Sequence, residues 1–151
     1  MHILFVCTGN TCRSAMAEGL MKKAVTDAGL KDITVSSCGT STLPSFRVPN
    51  IVLLLMNKEG IDLSKHLSTQ ISEQLVSKSD LILVMAEHHK DAVNHKFPEA
   101  SEKVFLLKQY VKTKGDTEIP DPIGQSEEVY TATMKELKEC VNKLVGMLKN
   151  K

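Results

Sequence analysis

The sequence predicts an α/β fold: a single-domain, three-layer structure with a four-stranded parallel sheet, helices on both faces, and a phosphate-binding loop after the first strand. Three observations carry that expectation. Short β-prone runs alternate with stretches of helical spacing, the pattern of βαβ units whose right-handed crossovers put helices on both sides of a parallel sheet. The chain has 151 residues, 42% of them hydrophobic and 25% charged, enough for one domain, residues 1–151, with a sizeable core. No internal repeat, low-complexity tract or linker divides it.

The first strand is read at Ile3–Val6, a short apolar run that stops at the polar stretch Cys7-Thr8-Gly9-Asn10-Thr11. A helix is predicted from near Ser14, with Met16, Ala17, Leu20, Met21, Ala24 and Ala28 at helical spacing and Gly29 as its stop. Ile33–Ser37 reads as the second strand, followed by a loop from Gly39 to Pro49 and a helix over Asn50–Glu59 ended by Gly60. A short helix around Ile71–Ser77 precedes the third strand, Leu81–Met85, and a polar helix follows through His88–Lys96. Val104–Leu107 reads as the fourth strand. Gly, Asp and Pro punctuate Lys112–Gly124 as a loop. Tyr130, Met134, Leu137, Val141, Leu144 and Leu148 then mark one face of a long final helix.

Composition excludes several classes of function. The formal net charge is +1 and the basic residues are spread, which argues against nucleic acid or a membrane surface as partner. Aromatics are 4% of the chain and there is no Trp, so bases have little to stack on. The run His2–Val6 is too short for a signal-peptide core or a membrane span, so a cytoplasmic location is expected. The cysteines Cys7, Cys12, Cys38 and Cys140 are read as thiols, because a domain with this much core does not need a disulfide framework.

The chemistry concentrates in Cys7-Thr8-Gly9-Asn10-Thr11-Cys12-Arg13-Ser14, between a strand and a helix. Backbone N–H groups of a tight loop and the positive end of the following helix form a cradle for a tetrahedral dianion. Gly9 permits close backbone approach, and Asn10 tolerates the left-handed region such loops require. Arg13 offers a planar fork for bidentate phosphate binding. A cysteine at the floor of that positive field is favoured as the thiolate, the form that acts as nucleophile. A small buried residue beside a plain turn would account for Cys7 alone, but not for strand, cysteine, glycine loop, arginine, serine and helix in that order. Ligands of open parallel sheets bind beyond the carboxyl ends of the strands, and Cys7 sits at one such end.

The stretch from Val6 to Glu18 resembles the signature of the low-molecular-weight protein tyrosine phosphatases. The resemblance continues through Ser37-Cys38-Gly39-Thr40, Gly60-Ile61-Asp62-Leu63, the strand Asp80–Met85 and Asp121-Pro122. The family usually has Pro where Ala15 stands and Ala where Cys38 stands, and neither departure removes a catalytic group. The resemblance implies a two-step phosphatase without metal or cofactor, acting on a phosphorylated protein and expected to be a monomer. Cys7 attacks phosphorus; Arg13 and the amides of Thr8, Gly9, Asn10, Thr11 and Cys12 stabilise the equatorial charge. Asp121 acts as acid and then as base, and Ser14 steadies the leaving thiolate. Without that context Asp121 is only a turn aspartate before proline. Cys12 is either a loop-packing residue or a resolving thiol that captures an oxidised Cys7 as a disulfide. Cys38 and Cys140 read as structural.

Thr11 bears on the substrate. The tyrosine-specific branch of the family usually carries a bulky aliphatic side chain there, whereas threonine resembles the bacterial protein-arginine phosphatase branch. A hydroxyl accepts a hydrogen bond from a guanidinium, and a branched alkyl group crowds it. Ile123 stands where tyrosine phosphatases of this type usually have an aromatic, although Leu43 and Phe46 could line one wall. Phosphoarginine is therefore favoured and phosphotyrosine is the alternative. An arsenate reductase-like enzyme shares the fold and loop, but its relay needs further cysteines and Leu81–Phe97 has none. A zinc site built on Cys7, Cys12, His88, His89 or His95 lacks clean ligand pairs, and those histidines read as solvated surface on a polar helix. His2 and His66 have no partner nameable from the sequence. A non-catalytic phosphate-binding module would keep the cradle and dispense with Asp121.

Overall fold

The computed structural model describes residues 1–151. Strand β1, His2–Cys7, is apolar almost throughout, because both of its faces are covered. It is followed by α1 (Arg13–Asp27), β2 (Thr34–Gly39), α2 (Asn50–Lys58), α3 (Glu73–Lys78) and β3 (Leu81–Val84). Helix α4 (Glu87–Lys96), a 3-10 segment (Pro98–Lys103), β4 (Val104–Leu106), α5 (Leu107–Tyr110) and α6 (Glu127–Lys149) complete the chain. The four strands are parallel, in the order β2-β1-β3-β4.

Alternation along the central strands divides the core in two. Ile3, Phe5 and Cys7 of β1 face one layer with Leu81, Leu83 and residues of α1, α2 and α6; Leu4 and Val6 face the other with Ile82, Val84, Val76, Val93 and Phe97. That is the three-layer arrangement the element order predicts. Helix α6 is capped by Ser126, whose hydroxyl accepts from Val129 N, and buries Tyr130, Met134, Leu137, Val141, Leu144 and Leu148. No helix is long and apolar enough to cross a membrane.

The structure moves several boundaries. β1 and β2 run to Cys7 and Gly39 because these two residues pair with each other at the end of the register. Leu107 closes no strand: it opens α5 and is fully buried. Residues 98–103 form the 3-10 segment, started by Pro98, which lacks the N–H an interior helical position would need.

The strand order sets the position of the site. The chain leaves β1 for β2 on one side, then crosses back to β3 on the other, so the order reverses between β1 and β3. Their carboxyl ends open the crevice where doubly wound sheets bind ligands. Cys7 ends β1, and Met85, just past β3, donates its N–H to Val6 O and accepts at its own carbonyl from Ile119 N. The loop bearing Asp121 is thereby tied to the same end of the sheet.

Candidate active site

Residues 8–12 link β1 directly to α1, and the turn is built around Asn10. Asn10 has φ +56° and is fully buried, an uncommon conformation that its side chain stabilises locally. Its Nδ2 donates to Ser14 Oγ (2.8 Å) and Ser37 Oγ (2.9 Å), and its Oδ1 accepts from Thr69 N (2.9 Å). Ser37 in turn donates to Glu18. His66 Nε2 donates to Asn10 O at 2.9 Å. Every polar atom of the Asn10 side chain is satisfied, as burial demands.

The network converges on the Ser14 hydroxyl. Ser14 Oγ accepts from Asn10, and its one hydrogen has two acceptors in reach, Cys7 Sγ at 2.9 Å and Cys38 O at 3.4 Å. Once Cys7 is a thiolate it can only accept, and the nearer Ser14 hydroxyl is then its donor. Cys7 is buried at the carboxyl end of β1. Helix α1 begins at Arg13 with neither a side-chain cap nor an acidic residue in its first turn. Its N–H groups and positive end therefore face the loop without a competing carboxylate.

Arg13 is 4% exposed and reaches across the site. Its Nη1 donates to Ile119 O at 2.9 Å, and its Nη2 lies 3.7 Å from Asp121 Oδ2. Asp121 Oδ1 accepts from Ile123 N (3.1 Å), an Asx turn that leaves Oδ2 aimed at the arginine. The structure thus brings Cys7, Arg13, Ser14 and Asp121 together from opposite ends of the chain.

Cys12 is buried, and burial pushes its thiol up to about 11 despite hydrogen bonds with Thr11 and Tyr130. Near neutral pH it is a protonated thiol and a slow nucleophile toward a neighbouring oxidised sulfur. Burial likewise raises Cys38, which packs with Leu4 and Val6 on the sheet face opposite Cys7. Cys140, on α6, is pushed up to about 11 by burial. Thr11 is half-buried, and Ile123, Leu43 and Phe46 are exposed.

Two findings go beyond the sequence expectations. Gly39 is a further demanding glycine: a Cβ there would fall 2.4 Å from Thr8 O, whereas a Cβ at Gly9 would meet Thr11 Oγ1 at 3.9 Å. The loop backbone packs directly on β2 there, with Thr40 N donating to Cys7 O and Ser41 N to Thr8 O. Gly39→Ala must push the loop away, and it is expected to cost about 1–3 kcal/mol and to weaken oxyanion binding together with it. Denaturant unfolding and vanadate titration measure the two losses. The histidines also change. His89 is wholly buried rather than solvated, and His66 holds the loop at Asn10 O. His2 bonds Thr34 Oγ1 and Ser36 Oγ, both at 2.7 Å, and burial lowers its affinity for a proton. Periodicity gave no sign of these partners, since each contact joins segments far apart in sequence.

The sequence matches the family model described as "Low molecular weight phosphotyrosine protein phosphatase" over residues 2–151. A protein-arginine-phosphatase of Bacillus subtilis (strain 168) is 40% identical over 150 residues, spanning 99% of this chain and 97% of that protein. The low molecular weight protein-tyrosine-phosphatase PtpB of Staphylococcus aureus is 36% identical over 152 residues, with coverage of 98% and 99%. A solved structure of a YwlE arginine phosphatase mutant, its active-site serine phosphorylated, superposes with a TM-score of 0.92 at 37% identity, covering 99% of this chain and 96% of that one.

Proposed function

The chain belongs to the low molecular weight phosphotyrosine protein phosphatase family, and from that premise we propose that it hydrolyses phosphoarginine on proteins through a cysteinyl-phosphate intermediate. The observation that carries the mechanism is the contact of Cys7 Sγ with the Ser14 hydroxyl at 2.9 Å, with Arg13, at the start of the same helix as Ser14, reaching Asp121 at 3.7 Å. The Cys7 thiolate attacks phosphorus in line as the P–N bond breaks, and Asp121 gives its proton to the departing guanidine nitrogen. The carboxylate then takes a proton from water, whose oxygen attacks phosphorus, and the S–P bond breaks. Ser14 donates to the released thiolate. Loop amides and Arg13 hold the equatorial oxygens throughout, so the charge stabilisation comes from the protein's own dipoles and guanidinium. In this reading the enzyme acts as a cytoplasmic monomer on phosphorylated proteins.

Two features support arginine as the phosphorylated residue. The Bacillus subtilis relative is a protein-arginine-phosphatase, and Thr11 offers a hydroxyl acceptor beside the cradle. The phosphotyrosine reading draws on the staphylococcal relative and on exposed Leu43 and Phe46, apolar side chains an aryl ring could meet. Thr11→Ile separates them. Losing a hydrogen bond to a charged group costs about 1.5–3 kcal/mol, so kcat/KM on a phosphoarginine peptide should fall at least about tenfold. Activity on a phosphotyrosine peptide should hold or rise, because the ring gains apolar contact. Steady-state kinetics on both peptides reads the ratio, and a ratio that does not move toward phosphotyrosine removes Thr11 as the selector.

A further inference from the structure

His89 lies on a helix of polar composition, yet its side chain is wholly buried and both ring nitrogens are engaged. Nδ1 lies 3.0 Å from Ala86 N, a backbone group that can only donate. Nδ1 therefore accepts, and the proton of the neutral ring is on Nε2. Nε2 lies 2.8 Å from Thr8 Oγ1 and donates to it. Burial, and after it the charge of Arg13, brings the imidazole down to about 3, so the ring keeps this neutral form near neutral pH.

Thr8 directly follows Cys7. With a lone pair of Oγ1 taken by His89, its hydroxyl hydrogen is directed elsewhere, as a donor. The start of α4 also meets the other loop of the site: Glu87 N donates to Glu118 Oε2 at 2.7 Å, three residues before Asp121. One end of one helix thus touches both the turn after the nucleophile and the segment carrying the acid.

We propose that His89 is a positioning residue of the active site: its Nε2–H holds Thr8 Oγ1, registers the phosphate loop against the loop of Asp121, and presents the Thr8 hydroxyl as a donor to a bound phosphoryl oxygen. This rests on the phosphatase reading above. A purely structural role exists for the same side chain, because Nδ1 caps α4 by accepting from Ala86 N. The two roles use different nitrogens, so two substitutions part them. Asn supplies an acceptor near the place of Nδ1 and no donor to Thr8; Gln reaches Thr8 with an N–H and abandons the cap.

The experiment uses the whole chain as wild type, His89→Asn and His89→Gln. It reads vanadate affinity, kcat/KM on an aryl phosphate, and Tm. His89→Asn should bind vanadate at least about fivefold more weakly, the worth of roughly one neutral hydrogen bond, and lose kcat/KM in step while Tm stays near wild type. His89→Gln should stay within about twofold of wild type in affinity while losing Tm. The reverse pattern, Asn active and Gln impaired, would overturn the proposal and leave His89 a helix cap. Thr8→Val tests the contact from its other side without touching α4. An unchanged vanadate affinity in that variant overturns the proposal even if both His89 variants fail to fold. Oxyanion affinity is read without turnover. A wild type that hydrolyses neither aryl phosphate nor phosphoarginine peptide would defeat the phosphatase reading, while the effect of His89→Asn on vanadate would still decide this one.

Discussion

Cys7→Ser is expected to lower turnover by about 10⁴-fold or more while leaving vanadate binding measurable. The two halves of that expectation come from different atoms. Turnover needs an anionic nucleophile, and a serine hydroxyl stays protonated near neutral pH. The side-chain oxygen bonded to position 7, Ser14 Oγ, receives the Asn10 N–H and is itself a neutral, weakly basic hydroxyl. It cannot serve as the base that would activate the new hydroxyl. Binding needs Arg13, the amides of residues 8–12 and the start of α1, and the substitution touches none of these. Rapid-mixing assays for turnover and a vanadate titration measure the halves separately. Hydrolysis near the wild-type rate would sink the covalent route. Loss of vanadate binding with full stability would mean that the sulfur itself, rather than the loop, holds the oxyanion.

What the sequence made legible follows from how local each signal is. β1, the loop and α1 are contiguous, and their order alone implies an anion cradle at a strand end. The parallel sheet with helices on both faces follows from alternating elements and crossover handedness, whereas the strand order and the reversal beside β1 come only from the structure. The support beneath the loop is not local. Asn10 looks like a turn residue, and its left-handed backbone bears that out, but Thr69, Ser37 and His66 are its partners only once the sheet has formed. Gly39 looks like a strand end, and only the approach of Thr8 O shows why no side chain fits there. His89 was hidden by its own helix: averaging over α4 gives a polar surface, although Val93, four residues on, marks the same buried face.

Asp121→Ala should reduce turnover of a phosphoarginine peptide by about 10²–10⁴-fold, and of an activated aryl phosphate by much less. The asymmetry lies in the leaving groups. A guanidine nitrogen that departs without a proton leaves as the conjugate base of a very weak acid, the arginine side chain keeping its proton beyond about pH 12. An activated phenolate departs unaided. The cost to stability is limited by the long 3.7 Å contact from Asp121 Oδ2 to Arg13 Nη2 and by the 46% exposure of Asp121, although Arg13, 4% exposed, keeps only its bond to Ile119 O when the carboxylate is removed. The carboxylate also holds Ile123 N through Oδ1, so a loss of activity could come from a loosened loop. Asp121→Asn resolves this. Its amide oxygen keeps the bond to Ile123 N, but the side chain neither gives up nor takes up a proton. If Asp121 is the acid, Asn fails as badly as Ala on phosphoarginine and is spared on the aryl phosphate. If Asn restores activity on phosphoarginine, or Ala slows both substrates equally, Asp121 shapes the loop and the proton must come from another group.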